Sequence, residues 1–116
     1  MILSGRGISR SKIDAFVKVL PALEKHYGTN SFDVNDAVGY LNSIPELGVW
    51  CYRTGRCNIL HKREAERAGK VTLDLQMACH RFAGQSELCV VDDTGKKYQP
   101  LNHTAKLTYQ VRRISP

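Results

Sequence analysis

The chain has 116 residues, 42% hydrophobic and 24% charged, proportions that suit one globular core and exclude a two-domain enzyme and a disordered, collagenous or fibrous chain. Seventeen Lys and Arg against eleven Asp and Glu leave a formal charge of +6, which favours polyanionic partners. No segment approaches the roughly 18–20 consecutive apolar residues that span a bilayer, so no membrane association is expected.

One domain over residues 1–116 is expected, with a helical part over about 9–69 and a β part over about 70–115. Met1 to Arg6 lack the basic region and longer apolar run of a secretory signal, and a cytoplasmic location is expected. Cys51, Cys57, Cys79 and Cys89 are accordingly expected as reduced, buried thiols.

In chain order, Ile13, Phe16, Val17 and Leu20 follow the i, i+3, i+4, i+7 spacing of an amphipathic helix. This predicts a helix over Ser11–Tyr27, with Ser9 or Ser11 as N-cap and Gly28 as its stop. Pro21 removes a donor and crowds the Val17 carbonyl, which predicts a kink or two shorter helices. A second helix is expected from Asp33, whose side chain can cap the amides of Asn35 or Asp36, with Val34, Ala37, Val38 and Leu41 as its stripe. Gly39 inside it suggests close packing by a neighbouring helix.

Ser43–Gly48 reads as a turn and Val49–Tyr52 as a short buried segment. A third helix is expected from Thr54 or Gly55 to Ala68, stopped by Gly69. On it Arg56, Arg63, Arg67 and Lys70 form one cationic stripe, beside an apolar face of Cys57, Leu60, Ala65 and Ala68. After Gly69 the period becomes two, so Val71–Cys79 reads as a half-buried strand. Glu87–Val91, the turn Asp92–Gly95 and Lys96–Gln99 read as a hairpin, and Lys106–Ile114 as a last antiparallel strand. The fold class is therefore α+β, with three N-terminal helices followed by a small antiparallel sheet.

Residues 53–70 hold six basic residues against Glu64 and Glu66, so they carry +4 of the +6 total. Arginine can pair bidentately with guanine and asparagine with adenine, while other cations neutralise phosphates. The order of elements resembles a winged helix-turn-helix domain. The residues that carry the likeness are Phe32–Leu41, similar to the first helix of that motif, and Asn58–Val71, similar to the recognition helix and first wing strand. Asp92–Tyr98 is the nearest counterpart of the wing. Asn42–Gly55 is longer than the usual inter-helix turn. The resemblance implies a small regulatory protein that binds nucleic acid, duplex DNA foremost. In it Arg56, Asn58, Arg63 and Arg67 face the groove, while Arg53, Lys62, Lys96 and Lys97 neutralise phosphates.

The same basic helix also suits a protein-interaction adaptor or inhibitor that binds an acidic surface on a larger protein. Trp50 and Tyr52 beside Arg53 and Arg56 have the chemistry to stack single-stranded bases, but Trp50 is expected to anchor the core under the third helix. Cys51, Cys57 and His61, with Cys79-His80 and Cys89, are spaced too widely for the usual zinc knuckle, so neither a metal nor a cofactor is expected. No local motif joins a nucleophile to a base, and the chain is not expected to be an enzyme.

Overall fold

The computed structural model describes residue 3 and residues 7–85, 88–92 and 106–113. Its elements run α1 (Arg10–Tyr27), β1 (Phe32–Asp33), α2 (Val34–Asn42), β2 (Val49–Tyr52), α3 (Ile59–Arg67), β3 (Val71–Asp74), α4 (Leu75–Arg81), β4 (Leu88–Asp92) and β5 (Thr108–Arg113). The fold is α+β: four helices, an antiparallel sheet ordered β1-β5-β4 and a parallel pair β2-β3, among the described residues. Among those residues, no helix is long and apolar enough to cross a membrane.

Helix α1 buries Ile13, Phe16, Val19, Leu20 and Leu23 and ends at Gly28, whose N–H donates to the Glu24 carbonyl at 2.8 Å. It runs unbroken through Pro21 rather than splitting. Pro21 sits on the exposed face, where water replaces the forfeited hydrogen bond most readily. Asp33 caps α2 by accepting from Asn35 N at 3.1 Å, and Val34, Ala37 and Leu41 face inward. Gly39 meets no close neighbour: a Cβ added there would find nothing within 4 Å.

The segment after Gly69 departs from the expected strand. Only Val71–Asp74 is extended, and Leu75–Arg81 is helical. Asp74 ends the strand by turning its carboxylate onto Met77 N at 3.0 Å, an N-cap. Leu75, Ala78, Cys79 and Phe82 are all buried, so their i, i+3, i+4, i+7 spacing and not the alternation of residues 71–79 describes this stretch. Phe82 closes the core against Phe16, with ring centroids 5.5 Å apart.

Helices and strands therefore interleave instead of segregating into two halves. β4 pairs antiparallel with β5, Val90 opposite Val111, and β5 pairs with β1, Phe32 opposite Tyr109. The expected hairpin turn and its second arm, Lys96–Gln99, lie outside the described residues. β2 runs parallel to β3, Cys51 opposite Leu73. Asn42, the last residue of α2, lies against β2 and mimics a neighbouring strand. Its Nδ2 donates to the Cys51 carbonyl at 2.8 Å and its Oδ1 accepts from Cys51 N at 2.7 Å.

Two substitutions test this packing. Asn42→Ala leaves both Cys51 backbone groups without that partner and should cost about 1–3 kcal/mol. Gly39→Ala, at an unobstructed helical position, should add about 0.5–1 kcal/mol. Urea denaturation of each variant beside the wild type measures both, and a Gly39→Ala protein less stable than the parent would contradict the open space at that position.

Candidate functional site

The basic segment 53–70 is the connection between the parallel strands β2 and β3. It opens with a tight turn in which Arg56 N donates to the Arg53 carbonyl at 2.9 Å and Gly55 takes a φ of 79°, a conformation that favours glycine at the third turn position. The turn is pinned to α4: Thr54 Oγ1 donates to Asp74 Oδ2 at 2.6 Å, and Arg53 Nε donates to Gln76 Oε1 at 2.6 Å. Arg53 is only 2% exposed. Burial lowers its pKa, Asp33 opposes that shift, and the like charge of Arg56 adds to it. Expected at the surface as a phosphate neutraliser, Arg53 is instead a buried cross-link between the turn and α4.

This turn also displaces the start of the third helix from Thr54 or Gly55 to Ile59. Asn58 becomes the N-cap, its Oδ1 accepting from His61 N at 3.2 Å, so only its NH2 group is left to read a base edge. Arg56 and Lys70 lie outside the helix, and the expected four-membered stripe reduces to Arg63 and Arg67. Arg56 is exposed, with one nitrogen 3.4 Å from Asn35 Oδ1. It lines a pocket of about 310 Å³ with Asn35, Val38, Gly39 and Arg53.

Helix α3 is held to the protein by little apolar contact. Ala65 is its single buried residue. Taking Ile59 as zero, Arg63, Arg67 and Leu60 fall at about 40°, 80° and 100°, and Ala65 at about 240°, on the opposite side. Glu66 and Glu64 bracket this outer face at about −20° and 140°. Ile59 is 54% and Leu60 69% exposed, and they are the exposed large hydrophobic residues among those described. The expected apolar face of Cys57, Leu60, Ala65 and Ala68 is thus not an inward face: Leu60 and Ala68 are both exposed. Arg63 and Arg67 are exposed, and among the described residues neither forms an ion pair.

On the inner side, Lys62 is half-buried with Nζ 5.7 Å from the centre of the Tyr52 ring, within cation–π range. Trp50 lies 5.7 Å from Tyr52, centre to centre, and lines a pocket of about 240 Å³ with His61, Glu64, Ala65, Ala68 and Lys70. It is half-buried rather than a core anchor. At the other end of α3, Lys12 Nζ donates to the carbonyl and hydroxyl oxygens of Thr72, the latter at 2.8 Å. Burial and the nearby charge of Lys62 lower the Lys12 pKa, with Glu66 opposing.

Comparison with protein-family models, curated proteins and solved structures finds no match to this chain. The site rests on its own geometry. Of the eight residues expected to contact nucleic acid, Arg63 and Arg67 share the outer face of α3, Asn58 caps that helix, Lys62 lies beneath it and Arg56 stands on the preceding turn. Arg53 is buried, and Lys96 and Lys97 lie outside the described residues. Sequence reasoning missed Asn35 beside Arg56 and the exposure of Ile59 and Leu60. The available signal was that Ile59, Leu60 and Ala65 do not fall on one side of a helix.

All four cysteines are free thiols. Among the described residues, no three His, Cys, Asp or Glu side chains come together as a metal would require. Burial pushes the Cys51 thiol up to about 12, and raises that of Cys79 with help from Cys51 and Asp74. A thiol held protonated by the fold contributes stability that is complete below its unfolded value of about 8.5 and lost as pH rises towards the folded one. The urea midpoint should therefore fall progressively above about pH 9. In the native protein a maleimide at about pH 7.5 should modify the half-buried Cys57 ahead of the buried Cys51, Cys79 and Cys89. Peptide mass mapping reads the order, and early labelling of Cys79 would contradict its burial.

Proposed function

We propose that this protein binds nucleic acid, duplex DNA foremost, through the outer face of α3, as a small cytoplasmic regulator rather than a catalyst. The observation that carries the reading is the pair Arg63 and Arg67: one helical turn apart, exposed, and without an ion-pair partner among the described residues. Two such guanidiniums suit phosphate oxygens or guanine edges. The antiparallel pair β4 and β5 stands, in this reading, where a winged helix has its wing. In this reading α3 belongs to an excursion between α2 and α4, and Lys96 and Lys97 contribute from the chain that joins β4 to β5. Arg56 and Lys62 add positive charge at either side of the contact face.

A second reading is favoured by Ile59 and Leu60. Two exposed aliphatic side chains on the face that bears the arginines suit an acidic protein surface with an apolar centre, since interface cores combine apolar groups with arginine. The two readings separate by substitution. On duplex DNA, Arg63→Ala with Arg67→Ala should weaken binding and make the log–log salt dependence shallower by about 2, because each phosphate contact releases about one counterion. Leu60→Ala should change that binding little. A salt slope unaltered by the double arginine variant, or no duplex affinity at low salt, would remove the nucleic-acid reading. A Leu60→Ala loss larger than the arginine loss on an isolated protein partner would establish the second.

A further inference from the structure

We propose that the pocket between α2 and the Arg53–Arg56 turn is a binding site for a phosphoryl group. None of its lining residues lies on α3, so the inference does not rest on the reading of that helix. The pocket has a volume of about 310 Å³ and is lined by Asn35, Val38, Gly39, Arg53 and Arg56. Two of those five residues carry guanidiniums and none carries a carboxylate. A phosphate monoester carries between about −1.5 and −2 at neutral pH, which suits a pocket with Arg56 at its open end and the buried charge of Arg53 behind it.

Each wall has a local cause. Asn35, Val38 and Gly39 stand at i, i+3 and i+4 on α2, so they share one face of that helix. Gly39 has no side chain to fill the space, which leaves room above the first turn of α2. Asn35 belongs to that first turn, where the helix dipole favours negative charge. Its Oδ1 faces Arg56 at 3.4 Å, which leaves its NH2 group as a donor. Arg53 is fixed in place by Gln76 and is itself buried, while Arg56 reaches the same pocket from the exposed end of the turn.

Asp33 acts electrostatically on Arg53 but is not part of the lining. One of its carboxylate oxygens is engaged with Asn35 N. Behind the pocket, Gln76 is completely buried and gives its Oε1 to Arg53, and its Nε2 has no acceptor among the described residues.

The test is a calorimetric titration of the full chain with inorganic phosphate at constant ionic strength. Saturable binding is expected, weakened at least about tenfold by Arg56→Ala, which removes charge-assisted hydrogen bonds. Gly39→Glu, which sets a carboxylate in the pocket at a position open to a side chain, should weaken it at least as much. Circular dichroism checks that both remain folded. Arg63→Ala with Arg67→Ala should bind phosphate like the wild type, even where duplex binding is lost. Absence of saturation, wild-type affinity in either pocket variant, or an equal loss in the α3 variant overturns the proposal. Two sources can supply the group, a nucleic-acid backbone and a free phosphate or small phosphate ester. If Arg56→Ala weakens duplex binding in step with phosphate binding, the backbone is the source; if only phosphate binding falls, it is the small molecule.

Discussion

Two parallel strands cannot be joined by a turn; the chain must travel back the length of the first before it can begin the second. β2 and β3 impose that constraint here, and the 18 residues between Tyr52 and Val71 are the crossover. They are the same residues that hold +4 of the chain's +6. Charge concentration and topology are thus one fact. The inner residues of β2 and β3, Val49, Cys51 and Leu73, are buried with α1, α2 and α4 in the core. The crossover is left on the outside, and its helix can be polar almost all round because Ala65 is its single buried residue.

The two ends of this crossover are held firmly and its middle is not. At the entry, the Arg53–Arg56 turn is tied to α4 through Gln76 and to the Asp74 cap through Thr54. At the exit, Lys70 N donates to the Ala65 carbonyl and Val71 N to the Gly48 carbonyl, both at 2.9 Å. Asp74 serves twice: one carboxylate oxygen caps α4 and the other receives Thr54. A single side chain therefore ends β3, starts α4 and anchors the turn 20 residues upstream.

How much of this was legible in the sequence depends on the range of the interaction. The stripe of α1 and the Asp33 cap of α2 are local, and their spacing alone identifies them. The helix over Leu75–Arg81 was also legible, since Asp74 and the spacing of Leu75, Ala78, Cys79 and Phe82 are both local signals. Alternation of Val71, Leu73, Leu75, Met77 and Cys79 competed with them, but in a helix i and i+2 lie about 200° apart, and Met77 is accordingly less buried than Leu75 and Cys79. The burial of Arg53 was not legible. It depends on Gln76, 23 residues away on another element, and an arginine in a basic run carries no mark of being inward. The parallel pairing of β2 with β3 was hidden for the same reason, because a four-residue apolar run does not name its neighbour.

The exposed faces follow from this division of labour. A residue on the entry turn supports the fold through Arg53, Thr54 and Asp74, so its replacement perturbs packing as well as any ligand. A residue on the outer face of α3 touches little of the protein, so its conservation or loss changes the surface and leaves the core nearly untouched. Ile59 and Leu60, 54% and 69% exposed, stabilise the isolated chain little from where they stand, and exposed aliphatic groups raise the tendency to associate. Arg63 and Arg67 on the same face, with Glu64 and Glu66 at its edges, limit that tendency by keeping the apolar pair small and ringed with charge. A helix so arranged buries little apolar surface beyond Ala65, and the side chains of its outer face are free to be set by whatever that face meets.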